Sequence, residues 1–149
     1  MDRRELLGAV GAAAAGLVAT GRAGAAPTHD RDKAHEDCLK ACTHCKEECD
    51  AMFHHCLGEL AAGKATHAKT LQLAADCAAF CDLSATMIAR MSPLMVESCR
   101  ACAEACAACA AACGKFDSAE MRACAKACRD SETSCREMVK AMGGKTDPH

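Results

Sequence analysis

From Asp32 to Met142 the apolar and small residues recur every three or four positions, with three breaks between the runs. The clearest run is Cys99-Arg-Ala-Cys102-Ala-Glu-Ala-Cys106-Ala-Ala-Cys109-Ala-Ala-Ala-Cys113, in which the repeated residue steps by three, four, three and four. A helix turns about 100° per residue, so such steps hold one stripe on one face. The pattern predicts four helices. The first spans about 32–60, with Cys38, Cys42, Cys45, Cys49 and Cys56 in phase and Met52 at the step that cysteine skips. Ala62-Gly63-Lys64 breaks it. The second spans about 66–91 and carries Cys77 and Cys81, its seam continuing through Ser84, Ile88 and Met91. Ser92 and Pro93 read as N-cap and first residue of the third helix, which closes near Gly114 as a C′ residue. Asp117-Ser-Ala-Glu120 reads as a capping box opening the fourth, which carries Cys124, Cys128 and Cys135, with Ser131 and Met138 on the same stripe and Gly143-Gly144 at its end. Three short connections make successive helices antiparallel. The fold class is therefore all-α, an antiparallel up-down-up-down four-helix bundle with a cysteine-lined core.

Composition changes what that core is. Of 149 residues, 15 are cysteine, while Trp and Tyr are absent and Phe numbers three. Seam positions that ordinary bundles give to Leu, Ile or Val carry thiols here, with alanine between them. Residues 1–25 read as a separate unit, an export signal of the twin-arginine type: Arg3-Arg4, a weakly apolar run from Gly8 to Thr20, and the small-x-small site Ala23-Gly24-Ala25. The bundle domain is then 26–149, and the expected location is the periplasm. Cleavage removes Arg3, Arg4 and Arg22 from 18 basic residues and Asp2 and Glu5 from 20 acidic ones, leaving a net charge of −3. That charge argues against a nucleic-acid partner, and no membrane association is expected after cleavage.

The thiols allow several chemistries. An exported cysteine-rich chain is commonly disulfide-bonded, which would make this a stapled helical bundle serving as an interaction module. Yet the cysteine count is odd, and pairs three or four apart on one helix project nearly parallel bonds, poorly suited to disulfides. Iron–sulfur ligation in ferredoxins uses C-x2-C-x2-C-x3-C-P, which is absent. Structural zinc sites are closed tetrahedra formed at loops, and each Zn²⁺ with four thiolates leaves two negative charges to bury. Several Cu(I) ions fit best. Cu(I) is soft, monovalent and selected by thiolate and thioether sulfur, and one ion per bridging thiolate gives a neutral array. No catalytic constellation emerges, so the chain is read as a binding protein and not an enzyme. A thiol oxidoreductase would need an exposed, acidic C-x-x-C at a helix start, for which Cys99 and Cys102 are the sole candidates.

Cys38-x3-Cys42, Cys45-x3-Cys49, Cys77-x3-Cys81, the Cys99–Cys113 series and Cys124-x3-Cys128 together resemble the bacterial copper storage proteins, and the leader resembles that of their exported branch. The resemblance implies a store or buffer of Cu(I), a homotetramer of bundles, and delivery to copper enzymes or to a chaperone. The candidate ligands are all the cysteines: Cys38, Cys42, Cys45, Cys49, Cys56, Cys77, Cys81, Cys99, Cys102, Cys106, Cys109, Cys113, Cys124, Cys128 and Cys135. In the exported branch a histidine and methionines near the end of the first cysteine-rich helix line the opening. His55 and Met52 are the corresponding candidates here, although Glu59-Leu-Ala-Ala62 follows where methionines are expected. Counting from the turns gathers Met52, His55, Cys56, His67 and Met121 at one end. His35, Met87, Met91, Met95, Met138 and Met142 gather at the other. Cys56 and Cys135 lie seven residues from the next cysteine of their own helix and so depend on neighbours across the bundle.

Overall fold

A computed structural model of the chain describes residues 28–143. Residues 1–27 and 144–149, with the expectations placed on them, lie outside that range. Four helices follow in order: α1 Thr28–Ala61, α2 Ala68–Ala89, α3 Met95–Cys113 and α4 Ala119–Ala141, with a short 3-10 turn, η1, at Ala65–His67 before α2. Backbones of α1 and α3 each lie against α2 and α4, and diagonal backbones stay apart with only side chains meeting across the centre, so the helices occupy the corners of a square. The up-down-up-down bundle is as the periodicity predicts. The stretch Ala65–Ala89 is apolar and long enough to cross a membrane by composition alone. In this fold it turns Cys77, Cys81, Ser84 and Ile88 into the bundle interior.

The connections are closed by backbone chemistry. After α1, Gly63 N–H donates to Leu60 O (2.9 Å) and Lys64 N–H to Glu59 O (3.0 Å), a Schellman pair with Gly63 at φ +84°. After α2 the same pair forms from Met91 to Ile88 O and from Ser92 to Met87 O, each 2.9 Å. There the left-handed residue is Met91, at φ +51°. Met91 therefore leaves the seam on which its spacing had placed it and stands 62% exposed. Ser92 still acts as a local cap, accepting from Leu94 N–H at 3.2 Å, but α3 begins at Met95 and not at Pro93. Gly114 ends α3 in right-handed geometry, φ −63°, so glycine's freedom is not used there.

The expected N-cap shifts by one residue, and with Met121 at the third helical position no capping box forms. Ser118, not Asp117, is the N-cap of α4: it is extended (φ −118°, ψ 162°) and its Oγ accepts from Met121 N–H at 3.2 Å. Asp117 instead pairs with Arg122 at the surface. Elsewhere the solvent face carries one-turn ion pairs such as Lys46–Asp50 and Lys126–Asp130, and Arg136 ties α4 to Glu104 of α3 at 3.1 Å. Exposed pairs of this kind contribute only a few tenths of a kcal/mol each, so the interior decides the fold.

Replacing Ser118 with Ala should destabilise the bundle by about 1 kcal/mol, the usual worth of an N-cap. Asp117→Ala should change stability by much less. Urea denaturation of both variants checks the register; equal losses would return the cap to Asp117.

Candidate metal centre

Each helix contributes its stripe to one axis, and all 15 cysteines are buried, free thiols at 0% exposure. Where α1 and α3 begin, Cys38 Sγ lies 3.9 Å from Cys99 and 3.7 Å from Cys135. Cys42 lies 3.6 Å from Cys135. Next along the axis comes a hydroxyl: Ser131 Oγ is 3.7 Å from Cys42 and 3.9 Å from Cys81. In the middle, Cys45 meets Cys128 at 3.7 Å, Cys77 and Cys106 at 3.9 Å, and Cys49 at 4.0 Å. Cys81 adds contacts to Cys102 (3.6 Å) and Cys106 (3.7 Å). Beyond them Cys49 approaches Cys128 (3.8 Å) and Cys124 (3.9 Å). Cys56 stands past this column, 3.7 Å from the thioether of Met52.

Four groups of sulfurs are close enough to hold an ion, with all atoms of a group within 4.8 Å of one another. They are Cys38–Cys42–Cys135, Cys45–Cys77–Cys81–Cys106, Cys45–Cys49–Cys77–Cys128 and Cys49–Cys109–Cys124–Cys128. The last three overlap, sharing Cys45 and Cys77, then Cys49 and Cys128. With metal–sulfur bonds of roughly the zinc–thiolate length, 2.3 Å, a three-coordinate ion would need sulfurs about 4.0 Å apart and a linear one about 4.6 Å. The observed contacts suit the first without movement and the second with a small widening. No pair stands out for a disulfide, since many thiols touch several others at nearly one distance. Cys99 and Cys102 are wholly buried, which removes the exposed C-x-x-C that a thiol oxidoreductase requires.

Contacts among the thiols shift their acidities in both directions. Cys106 and then Cys128 hold Cys45 far below the ordinary thiol range. Cys106 and Cys135 do the same for Cys102, as do Cys113 and Cys124 for Cys109. Cys99 is drawn down to about 4 by Cys135 and Cys38. Others move the other way: Cys109 and Cys124 push Cys128 up, and Cys109 pushes Cys113 up to about 12. Cys56 is raised by burial, helped by the Cys109 charge. A cation entering the column therefore meets sulfurs already sharing protons, and it replaces those protons in the same contacts. Among the described residues the buried polar side chains are His67, Thr70, Ser84, Ser98 and Ser131, with no buried Lys or Arg to offset thiolate charge.

Both ends are as the counting from the turns places them, Met91 excepted. Met52 and Met121 are buried at the α1–α2 turn end, and Met95 and Met138 at the other. His44 and His54 face solvent. His55 lies on the lip, partly buried, beside His67, which the counting from the turns had placed at the same end. The His67 ring stacks on Phe116 with centroids 4.4 Å apart. Beside them stands Glu59, one turn further on α1, which that counting had not singled out. The His55-x3-Glu59 spacing was the available signal.

A four-helix bundle whose axis is lined along its length by buried thiols defines a cysteine-lined metal-binding protein. The sequence model of the copper storage protein family, Csp, matches residues 31–140, and the chain belongs to that family. It is 38% identical over 105 residues to the uncharacterized cysteine-rich protein YhjQ of Bacillus subtilis strain 168, covering 69% of this chain and 87% of that one. The Cu(I)-bound copper storage protein BsCsp3 superposes with a TM-score of 0.67 at 36% identity, over 71% of this chain and 98% of that one. The apo form of the B. subtilis protein gives 0.63 at 36% identity, over 70% and 97%. A cytosolic copper storage protein from Streptomyces lividans, with five coppers, gives 0.68 at 30% identity, over 76% and 98%.

Cys135 finds Cys38 and Cys42 across the bundle, as its spacing requires, while Cys56 touches the Met52 thioether on its own helix. Cys135→Ala should lose more than one Cu(I), since the ions it bridges would lose a ligand, whereas Cys56→Ala should lose one or less. Replacing Cys106 and Cys109 together should lose more than two. Metal counts on the purified, loaded variants check this; an equal loss per thiol at every position would mean independent sites.

Proposed function

We propose that this chain stores Cu(I) along its thiol column, one ion per bridging thiolate, and buffers copper for release to copper enzymes or to a chaperone. The observation that carries the reading is the overlap of the sulfur groups, in which Cys45, Cys77, Cys49 and Cys128 each serve two sets. Closed tetrathiolate zinc sites keep their ligands to themselves and leave two negative charges apiece. Among the described residues the core has no buried Lys or Arg to set against them, whereas a monovalent ion shared between thiolates leaves no charge to offset. Family membership and the Cu(I)-bound relative support the same metal. The role is binding and release without catalysis, as the burial of every thiol favours.

Two further parts of the reading rest on other residues. The leader, with Arg3-Arg4 and Ala23-Gly24-Ala25, supports export by the twin-arginine route to the periplasm. Assembly into a homo-oligomer, a tetramer by family resemblance, is supported by side chains exposed on α1 and α2: Phe53 and Leu57 on the first, Phe80 and Leu83 on the second. Phe53 lines a groove between the two helices with Ala75, Ala78 and Ala79, rimmed by Lys46, Asp50 and Asp82.

Anaerobic titration of the reduced protein with Cu(I), with Zn²⁺ in parallel, tests the store. Uptake should approach the 15 thiols. Saturation at about four ions would point to discrete tetrathiolate sites instead. The apo protein should already be helical, because its caps and alanine-rich seams favour helix. Loading should raise its melting temperature strongly, since ligand bound to the native state stabilises it. Circular dichroism on apo and loaded protein reads both effects; an unfolded apo form or an unmoved melting temperature would contradict them.

A further inference from the structure

At the end of the bundle where α1 turns into α2, three donors of a different kind converge. His55 and Glu59 stand one turn apart on α1, His67 comes from η1, and their ligand atoms lie within 4.8 Å of one another. His67 Nε2 is already 3.8 Å from Glu59 Oε2. The ring of His67 is held from two sides. Its Nδ1 is 3.3 Å from the Lys64 carbonyl oxygen, and its face stacks on Phe116 with planes 29° apart. With Nδ1–H donating to that carbonyl, Nε2 keeps its lone pair free for a cation on the side where Glu59 stands. This is how second-shell contacts orient a metal-binding histidine. His67 is 7% exposed although it is polar. The Lys64 ammonium sits 2.5 Å from the same Glu59 oxygen, a cation against the carboxylate.

We propose that His55, Glu59 and His67 form a site for one divalent borderline cation, Zn²⁺ in the first instance, distinct from the Cu(I) column. Two imidazoles and a carboxylate are the donors such ions prefer, and their single negative charge suits a dication as the thiolates suit a monovalent ion. Tetrahedral donors about 2.0–2.1 Å from Zn²⁺ would lie roughly 3.3 Å apart. The cluster must therefore close by about 1 Å or a little more, which side-chain rotation on a helix and a one-turn segment supplies. No sulfur belongs to the set. Because α1 and η1 share the ligands, the ion clasps the α1–α2 turn against α1.

The test uses protein loaded with Cu(I), so that the thiolates are engaged. Loading is measured first, so a failure of the storage reading shows before any divalent ion is added. Calorimetric titration with Zn²⁺ should give one site per chain. Co²⁺ in its place should give ligand-field bands without thiolate-to-metal charge transfer. Glu59→Gln should weaken Zn²⁺ binding by about tenfold or more while leaving Cu(I) capacity unchanged. Lys64→Met should tighten it by removing the competing ammonium. His67→Ala also disturbs the stack on Phe116, so Glu59→Gln, partly exposed and isosteric, is the deciding variant. Absence of Zn²⁺ uptake, a thiolate charge-transfer band, or binding indifferent to Glu59→Gln would overturn the proposal.

Discussion

Sulfur touching sulfur along a single axis is the contact on which the rest of this bundle depends. A cysteine side chain is short, so facing helices meet at their seams only by drawing close. Alanines at 74, 78, 103, 110, 125 and 127 are buried beside the thiols and permit that approach. Contacts of 3.6–4.0 Å between sulfurs are the result. Such a core loses much of the apolar area that Leu and Phe would bury, and it has no aromatic ring at its centre. Its largest fully buried side chains are methionines, Met52, Met121 and Met138, and these stand at the ends of the column. Hydrocarbon packing thus closes the two ends, and polarisable thiols fill the length between them.

That division decides which ions the interior can accept. Removing a proton from a buried thiol creates a charge that the low dielectric around it penalises, and among the described residues no buried Lys or Arg lies near to offset it. A monovalent soft cation bridging two thiolates restores neutrality locally, ion by ion, so filling need not stop after the first few. The proton-sharing contacts have the same topology as metal bridges, with Cys45 touching Cys128, Cys106, Cys77 and Cys49. Loading then exchanges one network for another within a scaffold that helix propensity and capping hold in place.

Most of this was legible in the sequence because helical phase is a strong signal when one residue type carries it. The three/four steps of cysteine put every sulfur on a seam, and each is buried there. Errors gathered where phase says nothing. Met91 keeps the seam spacing, yet it is the left-handed residue of a Schellman turn, a backbone role that methionine does not advertise. Asp117 and Ser118 are both good caps, and only the path of the chain into α4 selects Ser118. The Glu59–His67 contact joins two elements across a turn, beyond the reach of any periodicity within one helix. Cys135 could be seen to lack a partner on its own helix, but its closeness to Cys42 emerges only from the packing.

The column is not uniform, and the reason lies mostly in α2. That helix supplies Cys77 and Cys81, after which its seam continues as Ser84 and Ile88, both buried. On α4 the step between Cys128 and Cys135 is Ser131, whose hydroxyl lies between Cys42 and Cys81. A hydroxyl is a hard donor and a poor partner for a soft ion, so Ser131 thins the ligand field at the level of Cys42 and Cys81, and Ser84 thins it about one turn further along α2. On the α3-start side of the Ser131 level, Cys38, Cys42, Cys99 and Cys135 come from three helices; on the other, α1, α2, α3 and α4 all contribute thiols. Toward the α1–α2 turn the donors change again, to the thioether beside Cys56 and then to imidazole and carboxylate at the lip. Ligand softness therefore falls from the middle of the bundle outward to that lip. An ion that prefers sulfur is drawn inward along the gradient, and one that prefers nitrogen and oxygen is held at the surface.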